Sequence, residues 1–183
     1  HPAMDLLPGI DMSSGSLGQG LSPGLGMAMA AKIKKSKFHT FVMIGDGDSQ
    51  EGQIWEAALI AGKYKLNNLT AILDLNGLQQ YGWSTEEGYK NPDRMPPQEN
   101  PVSRWQAFGW NTIEADGHDI PEFIKACSEA KAYTDGPTII ISKTTKGKGI
   151  SYMENDFSWH SEPVTEADLE TAILELDAQE AAL

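Results

Sequence analysis

Apolar and polar positions along the 183 residues change period several times, and each change marks an element. Four consecutive apolar residues, Phe41–Ile44, stop at Gly45-Asp46-Gly47, and a second apolar run, Leu69–Leu75, stops at Asn76-Gly77. Short runs bounded by turn residues predict buried strands. The residues between them read as a helix running to about Leu66, which Asn67-Asn68 ends. Phe41–Leu78 is therefore a strand, a helix and a strand. Such a crossover closes right-handed in nearly all proteins and lays its strands parallel.

The rest of the chain continues the alternation. A helix over about Leu21–Lys35 precedes the crossover, with Ser22-Pro23 as its N-cap and first-turn pair. Lys32, Lys34 and Lys35 suit the negative end of its dipole. Gln79–Asn100 is polar and Pro-containing and reads as a long loop. Then follow a short helix (Ser103–Phe108), a strand (Trp110–Glu114), a helix (Ile120–Tyr133) and a β-branched strand (Pro137–Lys143). Ile150–Ser158 has no periodicity and predicts loop. Thr165 with Asp168 resembles a capping box that opens a last helix to about Ala182. This order predicts an α/β fold: a mostly parallel sheet with helices on both faces, in a single domain over residues 1–183.

Composition narrows the function classes. A net charge of −12 argues against nucleic acid and anionic membrane surfaces as partners. No apolar run approaches the roughly 18 residues of a membrane span. The single cysteine, Cys127, rules out an intrachain disulfide and suits a reducing cytoplasm. It falls mid-helix and reads as a small buried hydrophobe. His118 sits in an Asp-Gly-His-Asp turn, where a turn or capping role is expected.

In parallel sheets, ligands collect outside the carboxyl ends of the strands, where Asp46 and Asn76 fall. A carboxylate and an amide oxygen are hard donors suited to Mg²⁺ or Ca²⁺. The glycines around Asp46, including Gly47, allow a sharp turn and close approach to a ligand. Asp48 reads as a dipole-favoured helix cap, and Asp74, one strand repeat before Asn76, as structural. The Ser13–Gly20 stretch is either an anion-binding helix entry or a tight turn. Thr144–Gly149 is either an anion loop, without Walker spacing, or a flexible basic turn.

GDGDSQEG, followed by WEA and LDLNGL, resembles the thiamine diphosphate (ThDP) motif in the form seen in transketolases. His1-Pro2, SGSLGQG (14–20), KGKGI (146–150) and WHSEPV (159–164) extend the resemblance over essentially the whole chain, in family order. It implies the ThDP-binding fold, specifically the diphosphate-binding domain, expected to be incomplete at its N-terminus because the family's upstream histidines have no match. It implies Mg²⁺ (or Ca²⁺) held by Asp46, Asn76 and the Leu78 carbonyl. Cofactor contacts would come from Gly15, Leu17, Gly47, Asn76, Gln80, Lys146 and His160. Among the catalytic residues, His1 would contact the substrate's terminal hydroxyl and His160 would lie near the reacting carbon. Glu51 would link two cofactor sites across a subunit interface.

The implied activity is transfer of a two-carbon ketol unit from a ketose phosphate to an aldose phosphate. The family's activating glutamate belongs to a pyrimidine-binding domain that nothing here matches. The chain therefore looks most like the N-terminal subunit of a split transketolase, cytoplasmic and paired with a C-terminal subunit in a heterotetramer or larger. Two alternatives stay open. One is another ThDP enzyme, such as 1-deoxyxylulose-5-phosphate synthase or a dehydrogenase E1 component; these usually lack the EG and the WHSEPV-like segment. The other is a non-catalytic transketolase-like subunit.

Overall fold

The computed structural model describes residues 2–79 and 100–182. The chain divides into two compact units: residues 1–75 with 98–143, and residues 76–97 with 144–183. In element order it runs α1 (Leu21–Ile33), β1 (Thr40–Gly45), α2 (Gly52–Lys63), β2 (Leu69–Leu75), α3 (Pro101–Ala107), β3 (Asn111–Asp116), α4 (Ile120–Ala132), β4 (Thr138–Lys143) and α5 (Glu166–Glu180).

The first unit holds a four-stranded sheet of order β1-β2-β4-β3, in which every pairing is parallel. Gly45 pairs with Asp74, and Lys143 pairs with both Leu75 and Asp116, so all four strands end at one edge. On one face, Val42, Ile44, Ala71, Leu73, Ile139 and Ile141 form a core with Leu21 and Ala28 of α1, Ile54, Ala57, Ala58 and Ala61 of α2, and Trp105 of α3. The α2 contributors recur at helical spacing, which gives that helix one apolar stripe. On the other face, Ala126 and Ala130 of α4 pack on Ile140 and Ala115, with Ile72, Ile113 and Phe123 around them. Helices therefore cover both faces, as the alternation predicts.

The first core is an interlock of rings and small residues. Trp105 lies between Trp55 and Trp110, with centroids 5.0 and 4.9 Å apart. The indole N–H of Trp110 donates to the Ala58 carbonyl (2.9 Å) and that of Trp55 to the Ser49 carbonyl (2.9 Å). Buried tryptophans need such partners. Gly62 of α2 meets the backbone of Phe108 so closely that an added Cβ would lie 2.0 Å from its carbonyl oxygen. Alanine raises helix propensity by about 1 kcal/mol over glycine. Overpacking against a rigid backbone costs about 1–3 kcal/mol or more, and at 2.0 Å the upper end applies. Gly62→Ala is therefore expected to lose about 2 kcal/mol net in urea unfolding. A gain in stability would show that α3 can move aside.

Several boundaries differ from the sequence pattern, and three of the differences have a visible cause. Ser22 does not cap α1: Gly20 occupies the N-cap, its carbonyl already accepts from the Gly24 N–H (3.3 Å), and Ser22 accepts from the Gln53 amide instead. The third helix starts earlier, at Pro101, because Asn100 caps it through the Ser103 N–H (3.0 Å). Trp110 leaves the strand, since its backbone N–H closes the end of α3 on the Trp105 carbonyl.

In the second unit, α5 opens on the expected capping box. Thr165 accepts from the Asp168 N–H while the Asp168 carboxylate accepts from the Thr165 N–H. Those bonds from Thr165 hold the Asp168 carboxyl below the usual carboxylate range. Residues 144–156 form successive turns, and a short 3-10 helix covers Phe157–His160. Among the described residues no helix is long and apolar enough to cross a membrane.

Candidate functional site

Asp46 stands immediately after β1 at the carboxyl edge of the sheet and is 2% exposed. Its N–H donates to the Asp74 carbonyl at the end of the neighbouring strand (3.2 Å), and its carbonyl accepts from the Ser49 hydroxyl (2.7 Å). The backbone on both sides of the carboxylate is thus fixed. Neither Gly45 nor Gly47 has a positive φ, so these glycines are not demanded by backbone angle.

Asp48 does more than the capping role its position suggests. One carboxylate oxygen accepts from the Gly18 N–H (2.7 Å) and the other from the Gly45 N–H (2.8 Å). It bridges the glycine-rich stretch before α1 to the end of β1. Gly18 has φ +74°, and a Cβ there would fall 2.4 Å from Cβ of Glu51, so glycine is required twice over. A second tie runs from the Gln19 amide to Gln53 (2.6 Å) and from the Gln53 amide to Ser22 (3.2 Å). Gly15 and Leu17 lie exposed on the stretch these bonds secure. Glu51 is the exposed N-cap residue of α2, with no side-chain capping bond.

In the second unit, the Asn76 side-chain oxygen accepts from the Leu78 N–H (2.9 Å) across Gly77, which has φ +75°. Lys146 is half-buried, and its carbonyl accepts from the Asn155 N–H (3.0 Å). Gly147 (φ +73°) lies against the Met153 backbone, where a Cβ would come within 2.5 Å. Thr144–Gly149 is thus a folded loop packed on its own continuation. His160 ends the 3-10 helix and is exposed.

His1 and Gln80 lie outside the described residues, as does most of the Gln79–Asn100 stretch. The His118 N–H donates to Asp116 (2.8 Å), and Asp119 caps α4 through the Glu122 N–H (2.9 Å). Cys127 is partly rather than fully buried, against the α4 core, and burial pushes its thiol pKa up. His39, bonded to Thr70 at 2.7 Å, has its pKa lowered by burial and by Lys131. Among the described residues no cluster of three or more His, Cys, Asp or Glu could hold a metal. A cation here would need amide, carbonyl or phosphate oxygens to complete its shell. The residue that sequence reasoning missed is Asp48. One donor, Gly45, lies only three residues before it, but the other, Gly18, sits 30 residues upstream, where no local pattern signals it.

The chain matches the family model described as transketolase, thiamine diphosphate binding domain, over residues 1–180. It is 43% identical over 176 residues to an apulose-4-phosphate transketolase subunit of Phocaeicola vulgatus, covering 96% of this chain and 59% of that one. It is 39% identical over 179 residues to the 6-deoxy-6-sulfo-D-fructose transketolase subunit SqwG of a Clostridium species, covering 98% and 62%. Among solved structures, the transketolase of Campylobacter jejuni superposes with a TM-score of 0.81 at 33% identity, over 92% of this chain and 26% of that one. The Pichia stipitis transketolase in complex with sedoheptulose 7-phosphate gives 0.81 at 31% identity, over 97% and 26%. The chain thus spans about three fifths of the length of the subunit relatives and about a quarter of the solved transketolases.

Proposed function

The chain belongs to the transketolase family, as its ThDP-binding N-terminal domain, and from that premise we propose that it is one subunit of a split transketolase. The reaction would move a two-carbon ketol unit between sugar phosphates. Both units would then belong to one diphosphate-binding domain, an assignment supported by a family match that runs through both. The observation that carries the proposal is the buried Asp46 carboxylate at the sheet's carboxyl edge, in a chain whose relatives include named subunits of transketolases.

The donor chemistry fits a Mg²⁺-bound diphosphate. Asp46, the Asn76 oxygen and the Leu78 carbonyl would hold the metal, with Ca²⁺ as a substitute. Asp48, whose carboxylate accepts from two backbone N–H groups, would keep a structural role beside it. A single carboxylate suits Mg²⁺ that shares phosphate oxygens. The metal would also offset the repulsion between a diphosphate and a chain of net charge −12. Gly15, Leu17, Gly47 and Gln80 would contact the cofactor, with Lys146 and His160 at its diphosphate.

When bound, ThDP would supply a carbon nucleophile and an electron sink for cleaving and forming the ketose carbon–carbon bond. The chain's own groups would do the positioning. His1 and His160 would orient sugar hydroxyls and hold or release a proton there, a task suited to an imidazole, whose ring nitrogens can donate and accept. Glu51 would link the two cofactor sites across the subunit interface. A C-terminal subunit carrying the pyrimidine-binding domain would complete the site, in a heterotetramer or larger assembly within a reducing cytoplasm.

Native mass spectrometry of the full-length protein with ThDP and Mg²⁺ tests this. The expected species contains a second, different chain and bound ThDP, and it transfers a ketol unit between sugar phosphates. No ketol transfer after mixing with every pyrimidine-domain chain of the source organism would overturn the catalytic reading.

A further inference from the structure

The last helix, α5, contributes none of the candidate site residues, yet it holds the loop that carries two of them. Ala172, Glu175 and Gln179 recur at spacings of three and four, which places them along one helix face. Ala172 is buried, at 6% exposure. Both Glu175 carboxylate oxygens accept from Ser151, one from its N–H (2.7 Å) and one from its hydroxyl. These two bonds lower the Glu175 pKa. The Gln179 amide donates to the Gly149 carbonyl (2.7 Å). Higher on the helix, the Tyr152 hydroxyl donates to the Asp168 carbonyl (2.7 Å).

From those three attachments the order passes along the loop to both ends. Toward Lys146, the Gly149 N–H donates to Glu154 (3.0 Å), which also meets the Lys148 ammonium (3.5 Å). The Asn155 N–H closes the loop on the Lys146 carbonyl. Toward His160, the Trp159 indole donates to the Tyr152 carbonyl (3.0 Å) and meets its ring at a 59° tilt, centroids 5.2 Å apart. His160 is the next residue. A loop of turns with few buried apolar groups has little stability of its own. Its conformation is set by what it is bonded to.

We propose that α5 is a positioning element for the diphosphate loop, with Glu175 and Gln179 as residues that set Lys146 and His160 through Ser151 and Gly149. This rests on the ThDP reading above. The helix acts by preorganisation: it lowers the ordering cost that a free loop would meet on binding the ligand.

The test uses the full-length protein, with whatever partner chain purifies alongside it, and the variants Glu175→Ala, Glu175→Gln, Gln179→Ala and the double alanine. Amide exchange is followed without ThDP, and ThDP binding is titrated in Mg²⁺. In the double variant, exchange at Gly149 and Ser151 should speed at least about 10-fold, the weight of one charge-assisted hydrogen bond. The KM for ThDP should rise about 10-fold while kcat at saturating ThDP stays within about twofold. Glu175→Gln should recover part of the affinity, because its amide oxygen still accepts one bond. Unchanged exchange in β2 and β4 shows that the sheet is intact. Unaltered loop exchange, a fall in kcat at constant KM, or no recovery with glutamine overturns the proposal. If the parent protein binds no ThDP, it is the cofactor reading that fails, and the exchange arm still decides the role of α5.

Discussion

Asp46→Asn is expected to abolish Mg²⁺-dependent ThDP binding while leaving the fold in place. The carboxylate is 2% exposed, and the asparagine amide keeps its volume but not its charge. Outer partners of metal ligands are each worth roughly 10- to 100-fold in affinity, so loss of a charged ligand should cost at least about 100-fold. The effect has a thermodynamic signature. A ligand at 100 times its Kd stabilises the folded state by about 2.7 kcal/mol. The parent protein should gain that much with ThDP and Mg²⁺ together, and the variant almost none. Equal ThDP-induced stabilisation of both proteins would take Asp46 out of the metal site. If ketol transfer also survived, the non-catalytic reading would gain.

Asp48→Ala should do the reverse, harming the fold first and the cofactor second. It strands the N–H groups of Gly18 and Gly45, which the carboxylate satisfies at 2.7 and 2.8 Å. An unsatisfied buried donor costs about 1–3 kcal/mol, and these part-buried groups belong at the lower end, giving about 2–4 kcal/mol in all. Asp48→Asn should fall between, since its single amide oxygen can serve one donor well. Urea unfolding reads the total, and amide exchange at Gly18 and Gly45 assigns it. ThDP affinity should drop because the stretch bearing Gly15 and Leu17 is no longer secured. Stability close to that of the parent would show that water replaces the carboxylate and that the bridge is incidental. Two aspartates two residues apart are thus expected to fail in different assays.

Much of the fold was legible because its signals are local. The runs Phe41–Ile44 and Leu69–Leu75 are too short for helices and end at glycine or asparagine, so their strands fall within a residue of the pattern. The capping box at Thr165 and the Asp119 turn are also defined within four residues, and both form as read. The failures are positions where a distant group outcompeted the local preference. Ser22 yields the cap because Gln53 engages its hydroxyl, and Trp110 leaves the strand because its ring and N–H belong to the α2–α3 core.

The candidate site divides the same way. The amino-acid sequence by itself determined that Asp46 and Asn76 follow two neighbouring parallel strands, because a strand–helix–strand unit has one common handedness and its strand ends are marked by turn residues. It also placed a lysine–glycine loop after the last strand. What the tertiary structure decided is what the Asp48 carboxylate binds and what holds each loop. Asp48 is bound by a donor from Gly18, 30 residues upstream, and the Lys146 loop by Glu175 and Gln179, 24 and 30 residues beyond their partners Ser151 and Gly149. Hydrogen bonds between residues so far apart leave no period in the sequence. They exist only once the sheet and α5 have brought donor and acceptor to bonding distance.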